Sequence, residues 1–94
     1  MYNVLLVERV LRLLSDPGRY PAKVHRQITV RIFLLGREPR PPDAKRVGSG
    51  YRVDVGEYRI LYTVDDQAHM VRVELVGARN DDEVYRQARR LGLL

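Results

Sequence analysis

The sequence predicts an α+β fold: a small antiparallel sheet in the order β-α-α-β-β-β-α, with the helices packed on one face. Three observations lead there. Between Tyr51 and Val76, three strand-like runs, the first alternating apolar and polar residues, are separated by short turn signals. Before and after them, apolar residues recur at helical spacing. The chain has 94 residues, 45% hydrophobic and 31% charged, the length and balance of one globular domain, expected to span residues 1–94.

The elements follow in order. Tyr2 to Val7 is a short apolar stretch that fits a first strand. Glu8 to Leu14 places apolar residues at 10, 11 and 14 among charges and reads as a short helix, which Asp16-Pro17-Gly18 breaks. Pro21 stands where a helix can begin, and Val24, Ile28, Ile32 and Leu35 follow at helical spacing. The same segment also alternates, through Ile28, Val30, Ile32 and Leu34. A helix over Pro21 to Leu35 is preferred for its length, with Gly36 as its expected C-cap.

Gly36 to Asp43 contains Pro39, Pro41 and Pro42 and reads as an extended linker too short to divide two domains. Tyr51 to Val55, Tyr58 to Val64 and Met70 to Val76 then form a meander. Its first turn, Gly56-Glu57, is of the Gly-X type that favours a tight hairpin, and Asp65-Asp66-Gln67 makes the second. Asn80, with Glu83 three residues on, has the pattern of a capping box. Val84, Ala88 and Leu91 are the expected apolar stripe of the closing helix, and Arg86, Arg89 and Arg90 share another face of it.

Composition narrows the function classes. The formal charge is +5, which points to an anionic partner such as nucleic acid, an acidic protein or a membrane surface. Of the 17 cations fifteen are Arg, and only Lys23 and Lys45 are Lys; guanidinium forks suit bidentate phosphate contacts, though a GC-rich genome yields the same ratio. No apolar run approaches the ~18 residues of a membrane span. Met1 to Glu8 lacks a basic leader, so a soluble, cytoplasmic protein is expected. The absence of cysteine fits a reducing compartment and removes a thiol nucleophile or thiolate metal site. His25 and His69 lack ligand spacing, and Gly48-Ser49-Gly50 lacks the Lys and helix of a phosphate loop.

What remains is a set of cations and phenols at strand ends and turns. Arg52 and Arg59 flank the Gly56-Glu57 hairpin, Arg79 follows the last strand, and Tyr85 lies one and a half turns into the closing helix. Spacing alone leaves two readings open. In one they form a site; in the other Arg52 and Arg59 are solvated cross-strand residues and Tyr85 belongs to the helix's buried edge.

The stretch Tyr51-Arg-Val-Asp-Val-Gly-Glu-Tyr-Arg-Ile-Leu-Tyr62 resembles the hairpin of the RelE/ParE toxin superfamily, whose members often read Tyr-Arg-x-x-x-Gly-x-Tyr-Arg-Ile-x-Tyr. Val76-Gly77-Ala78-Arg79 resembles that family's Val-Gly-x-Arg, and Glu83-Val84-Tyr85 its Glu-Val-Tyr. The resemblance covers essentially the whole chain, and the pairing of Arg79 with Tyr85 leans toward the RelE branch. That branch has a fold similar to small microbial ribonucleases. The resemblance implies a toxin of a type II toxin–antitoxin system: a ribosome-dependent endoribonuclease that cuts mRNA in the ribosomal A site and inhibits translation. It implies a cognate antitoxin encoded beside it, and contact with operator DNA through that antitoxin alone.

The implied reaction is attack by a ribose 2′-OH on its adjacent phosphate, leaving a 2′,3′-cyclic phosphate and a 5′-OH. It needs no metal or other cofactor, but it does need a proton acceptor, a proton donor and positive charge on the developing phosphorane. Carried over, Arg59 would hold the phosphate, Arg79 would stabilise or protonate the leaving oxygen, and Tyr85 would act as base or stack on a substrate base. Arg52 falls where relatives carry a first cation, and Lys45, Arg46, Arg86, Arg89 and Arg90 are expected to meet the RNA backbone. Where relatives commonly have a second cation, this chain has Asp54. A carboxylate there could accept the 2′-OH proton, dilute the site's charge, or mark a different target. The alternatives are a ParE-like inhibitor of DNA gyrase without nuclease activity, and an inactive, antitoxin-bound co-repressor.

Overall fold

The computed structural model describes residues 1–80 and 83–93. Its elements are β1 (Asn3–Leu6), α1 (Glu8–Ser15), α2 (Ala22–Arg37), β2 (Lys45–Val47), β3 (Gly50–Val55), β4 (Tyr58–Asp65), β5 (Met70–Ala78) and α3 (Glu83–Arg90). The described strands form one five-stranded sheet in the order β1-β5-β4-β3-β2.

The α+β architecture holds, with two differences of detail. First, the sheet is mixed. Tight turns reverse the chain between β3, β4 and β5, which forces antiparallel pairing. No short turn ties β1 to its partner. Two helices and three strands separate the two in sequence, and β1 pairs parallel with β5 at the sheet edge, Asn3 opposite Met70 through Leu6 opposite Val73. Second, the helices do not share one face. Alternation along β4 sends Ile60 and Tyr62 into a cluster with Val10 of α1 and Ile28, Ile32 and Leu35 of α2, whereas Leu61 joins Leu75, Val84 and Ala88 beneath α3. Helix α3 therefore covers the opposite face from α1 and α2.

The ambiguous segment is helical. Ile28, Ile32 and Leu35 are at most 4% exposed, while Val30 and Leu34, which a strand would bury beside them, are 51% and 47% exposed. The helix does not stop at Gly36 but runs through it to Arg37. Gly36 is buried, and its carbonyl accepts a hydrogen bond from the Tyr2 backbone N–H at 2.8 Å, which ties β1 to α2.

The proline-containing linker is pinned down. The buried Tyr62 donates its hydroxyl to the Pro39 carbonyl at 2.7 Å, Arg31 grips Asp43 at 2.5 Å, and Arg40 grips Asp66 at 3.0 Å. After it comes β2, which its two cations in three residues conceal as a strand; such charge suits an exposed sheet edge. In the hairpin that follows, Gly56 has φ +56° and Glu57 does not share a positive φ, the pattern of a type II′ turn. The expected capping box depends on Glu83, whose side chain lies outside what is described. Leu91 leaves the expected stripe, being 42% exposed, and Leu93 packs in its place, its carbonyl accepting from Ser49 N–H at 3.0 Å.

The helical assignment of α2 has a direct check. Ile28→Ala should cost about 2–5 kcal/mol, because it empties a fully buried position, whereas Val30→Ala should change stability by less than about 0.5 kcal/mol. Equal losses in urea denaturation would contradict the register of this helix against the sheet.

Candidate functional site

Residues directly opposite in an antiparallel ladder share a face of the sheet. Lys45 pairs with Arg52 and Arg52 with Leu61, so both cations lie on the α3 side, with Leu61. Two positions further along, Asp54 pairs with Arg59 and Arg59 with Gly77, which places them on that side too. Ladder geometry thus gathers Lys45, Arg52, Asp54 and Arg59 on the α3 side of the sheet.

Helix α3 then supplies Tyr85. Its buried residues, Val84 and Ala88, face the sheet; Tyr85 lies beside them, partly exposed, over Arg59. An Arg59 terminal nitrogen (Nη1) donates to the Tyr85 hydroxyl, and the guanidinium carbon sits 5.5 Å from the phenol centroid. From its other end, Arg59 Nε donates to Asp54 Oδ1 at 2.9 Å, and Arg52 Nη1 reaches the same oxygen at 3.4 Å. Arg59 and Arg52 are therefore no loosely solvated residues: their side chains are 13% and 22% exposed.

Gly77 makes this approach possible. A Cβ at 77 would stand 2.1 Å from Val84 Cγ2, so the bare backbone lets α3 settle onto β5. This residue was absent from the expected site, although it is the glycine of the Val-Gly-x-Arg pattern. Arg79 follows at the hairpin tip. Its backbone N–H donates to the Glu57 carbonyl at 2.7 Å and its side chain reaches the Gly56 carbonyl at 3.5 Å, leaving its charge to act on Asp54 through space.

The Asp54 carboxyl is held below the usual carboxylate range, chiefly by the hydrogen bond from Arg59, with the charges of Arg59, Arg52 and Arg79 adding to it against the opposing effect of partial burial. The Arg59 guanidinium is correspondingly held more firmly protonated. A carboxylate in that state is a poor proton acceptor.

Not every expected residue comes to this place. Arg46 pairs with Tyr51 on the opposite face, donates to its hydroxyl at 3.2 Å and lies 5.1 Å from its ring centroid. The Tyr51 phenol is lowered below its ordinary range by hydrogen bonds from Arg40 first and Arg46 second, a pairing that sequence spacing did not suggest. Arg86, Arg89 and Arg90 lie on the exposed surface of α3, where the last two also suit the negative end of the helix dipole. The candidate site is an open face. The neighbouring cleft of about 390 Å³, between α1, the end of β5 beyond its pairing with β1, and α3, is lined by residues that include Arg9, Tyr20 and Tyr58 and contains none of Arg59, Asp54 and Tyr85.

No family model matches the chain, and no curated protein matches it. Solved structures do. A doubly substituted variant of the E. coli toxin RelE in the free state is 26% identical, with 96% of each chain covered and a TM-score of 0.77. The archaeal RelE–RelB complex from Pyrococcus horikoshii OT3 matches at 22% identity over 84% of this chain and 96% of that one, with a TM-score of 0.74. The toxin–antitoxin complex RelBE2 of Mycobacterium tuberculosis matches at 25% identity, covering 83% and 98%, with a TM-score of 0.69. The fold is that of RelE toxins of known structure. The expected resemblance to RelE toxins thus holds in three dimensions. Among the described residues no helix is long and apolar enough to cross a membrane.

The Asp54 ion pairs carry a pH signature. Because the folded carboxyl titrates below its unfolded value of about 3.9, its contribution is fully present above that value and lost as pH falls through the folded one. Asp54→Asn should be less stable than wild type near pH 7, by no more than about 1 kcal/mol given the solvent screening of an exposed pair. The difference should begin to shrink below about pH 3.9 and vanish once pH has passed the lower folded value. A gap that persists unchanged at pH 3 in urea titrations would contradict this account of the pair.

Proposed function

We propose that the chain is the toxin of a type II toxin–antitoxin pair and that it acts as a ribosome-dependent, metal-independent endoribonuclease on mRNA in the A site, so inhibiting translation. The observation that carries this reading is the convergence of Arg52, Arg59 and Tyr85 on one open sheet face, with Arg79 at its rim. Those side chains supply what 2′-OH attack on a neighbouring phosphate requires.

In this reading Arg59 holds the scissile phosphate and stabilises the charge that grows on it, since Tyr85 anchors its guanidinium before substrate arrives. Arg52 adds a second cation from the adjacent strand. Arg79 faces the leaving 5′ oxygen and stabilises or protonates it. Tyr85 takes the 2′-OH proton or stacks on a base. Asp54 is not assigned the base, because three arginines favour its ionised form. Lys45 and the α3 arginines Arg86, Arg89 and Arg90 track the RNA backbone on the same side. Arg46, on the other face, would touch RNA only outside the cleavage site.

The partner we propose is an antitoxin encoded next to this chain. It rests on the net charge of +5, which an acidic partner complements, and on structural relatives solved as RelE–RelB complexes. Operator DNA would be met through that antitoxin, in the cytoplasm. Asp54 gives one specific reason to keep a second reading, an inactive co-repressor whose arginines are already neutralised. The junction of Arg59 with Tyr85 favours cleavage over a ParE-like, gyrase-directed role.

Induced alone, the protein should arrest growth, with rescue by the neighbouring gene, and mRNA should carry new 5′-OH ends within translated frames. An SOS response with intact mRNA would favour the gyrase-directed role, and healthy growth at high soluble expression would sink both toxin readings. Arg59→Ala and Arg79→Ala should each lower single-turnover cleavage of ribosome-bound mRNA by about 10²–10³ while leaving the protein folded. Full toxicity in both would remove them from the site.

A further inference from the structure

We propose that Asp54 is an internal anion occupying the seat that Arg52 and Arg59 otherwise offer to a substrate phosphate, so that RNA must displace its carboxylate to engage them. This deepens the nuclease reading and rests on it for the identity of the incoming anion, though not for the existence of the seat.

Arg59 Nε and Arg52 Nη1 come from neighbouring strands and meet on a single oxygen, Asp54 Oδ1, at 2.9 and 3.4 Å. Guanidinium groups converging on one oxygen make a phosphate seat, since carboxylate and phosphate present equivalent acceptors to the fork. Exposure rises in the order Arg59, Arg52, Asp54, at 13%, 22% and 37%, so the carboxylate is the most exposed of the three, above the two cations. An incoming anion meets it first. The other ladder neighbour of Arg59 is Gly77, which offers no side chain to compete. Arg59 is also held by Tyr85, so its guanidinium keeps an anchor when the carboxylate is pushed aside. Asp54 thus raises the threshold for binding without being needed to build the seat.

The test is a titration of the full chain with inorganic phosphate, followed through the arginine Nε–H resonances in NMR. Asp54→Asn should bind phosphate about three- to tenfold tighter than wild type, the scale of one partly exposed charge pair. Asp54→Ser should behave alike. In an Arg59→Gln background the advantage should disappear, because the seat is then incomplete. Equal or weaker phosphate binding by Asp54→Asn and Asp54→Ser, or a gain that survives Arg59→Gln, overturns the proposal. The readout uses neither ribosome nor mRNA. Tighter binding by a protein that cuts no mRNA would therefore uphold the seat and overturn the nuclease, and cleavage with unchanged phosphate affinity would do the reverse.

Discussion

Strand β4 is covered on both faces, and the fold is arranged around that demand. A strand with one wet face can alternate apolar and polar residues. Here Ile60, Leu61 and Tyr62 are consecutive and each is at most 2% exposed. Ile60 and Tyr62 require α1 and α2 on one side, and Leu61 requires a second cover on the other. Helix α3 is that cover, with Val84 and Ala88 over Leu61 and Leu75. The residues of the candidate site inherit their positions from this arrangement. Arg59 sits one residue before the doubly buried run, where the sheet emerges from beneath α3, and Tyr85 follows directly on the helical valine that seals it.

Precision in the site therefore comes from the ladder more than from loops. Lys45, Arg52, Asp54 and Arg59 stand on paired strands, so their spacing is set by backbone hydrogen bonds. Three of them close a short chain of charge-assisted contacts from Arg52 through Asp54 to Arg59, which Tyr85 ends. Arginine serves this geometry better than lysine: one guanidinium bonds a carboxylate through Nε and a phenol through Nη1 at the same time, whereas an ammonium offers a single centre. The Arg-rich composition, ambiguous as a statistic, acquires a structural use at this position.

Much of this was legible in the sequence, and the illegible parts share a cause. Most local signals were sound, although Gly36 did not end α2 and Leu91 did not join the α3 stripe. Gly56-Glu57 fixed the hairpin, and the 3.6-residue spacing of Ile28, Ile32 and Leu35 prevailed over a competing alternation because the helix was long enough to define one buried stripe. The Arg59 and Arg79 placements followed from turn positions. Relations between distant segments were not legible. Nothing local says that β1 runs parallel to a strand more than sixty residues away, that α3 takes the far face, or that Arg46 and Lys45, adjacent in sequence, point to opposite sides. The consecutive apolar residues of β4 held a clue to two-sided cover, since a run without alternation leaves no face for water. That Asp54 would bind both Arg52 and Arg59 depended on register, which a one-residue slip would have reversed.

The close approach at Gly77 also bears on how the chain can vary. Every other amino acid carries a Cβ, and at this position that atom would fall 2.1 Å from a methyl group of Val84. The nucleotides that encode this residue are thus a point at which any missense change acts on α3, and through α3 on the seating of Tyr85, without altering one charged group. Populations under pressure to lose the proposed activity would have here a route that leaves the arginines intact. A census of those arginines alone would then count as competent a gene that is not.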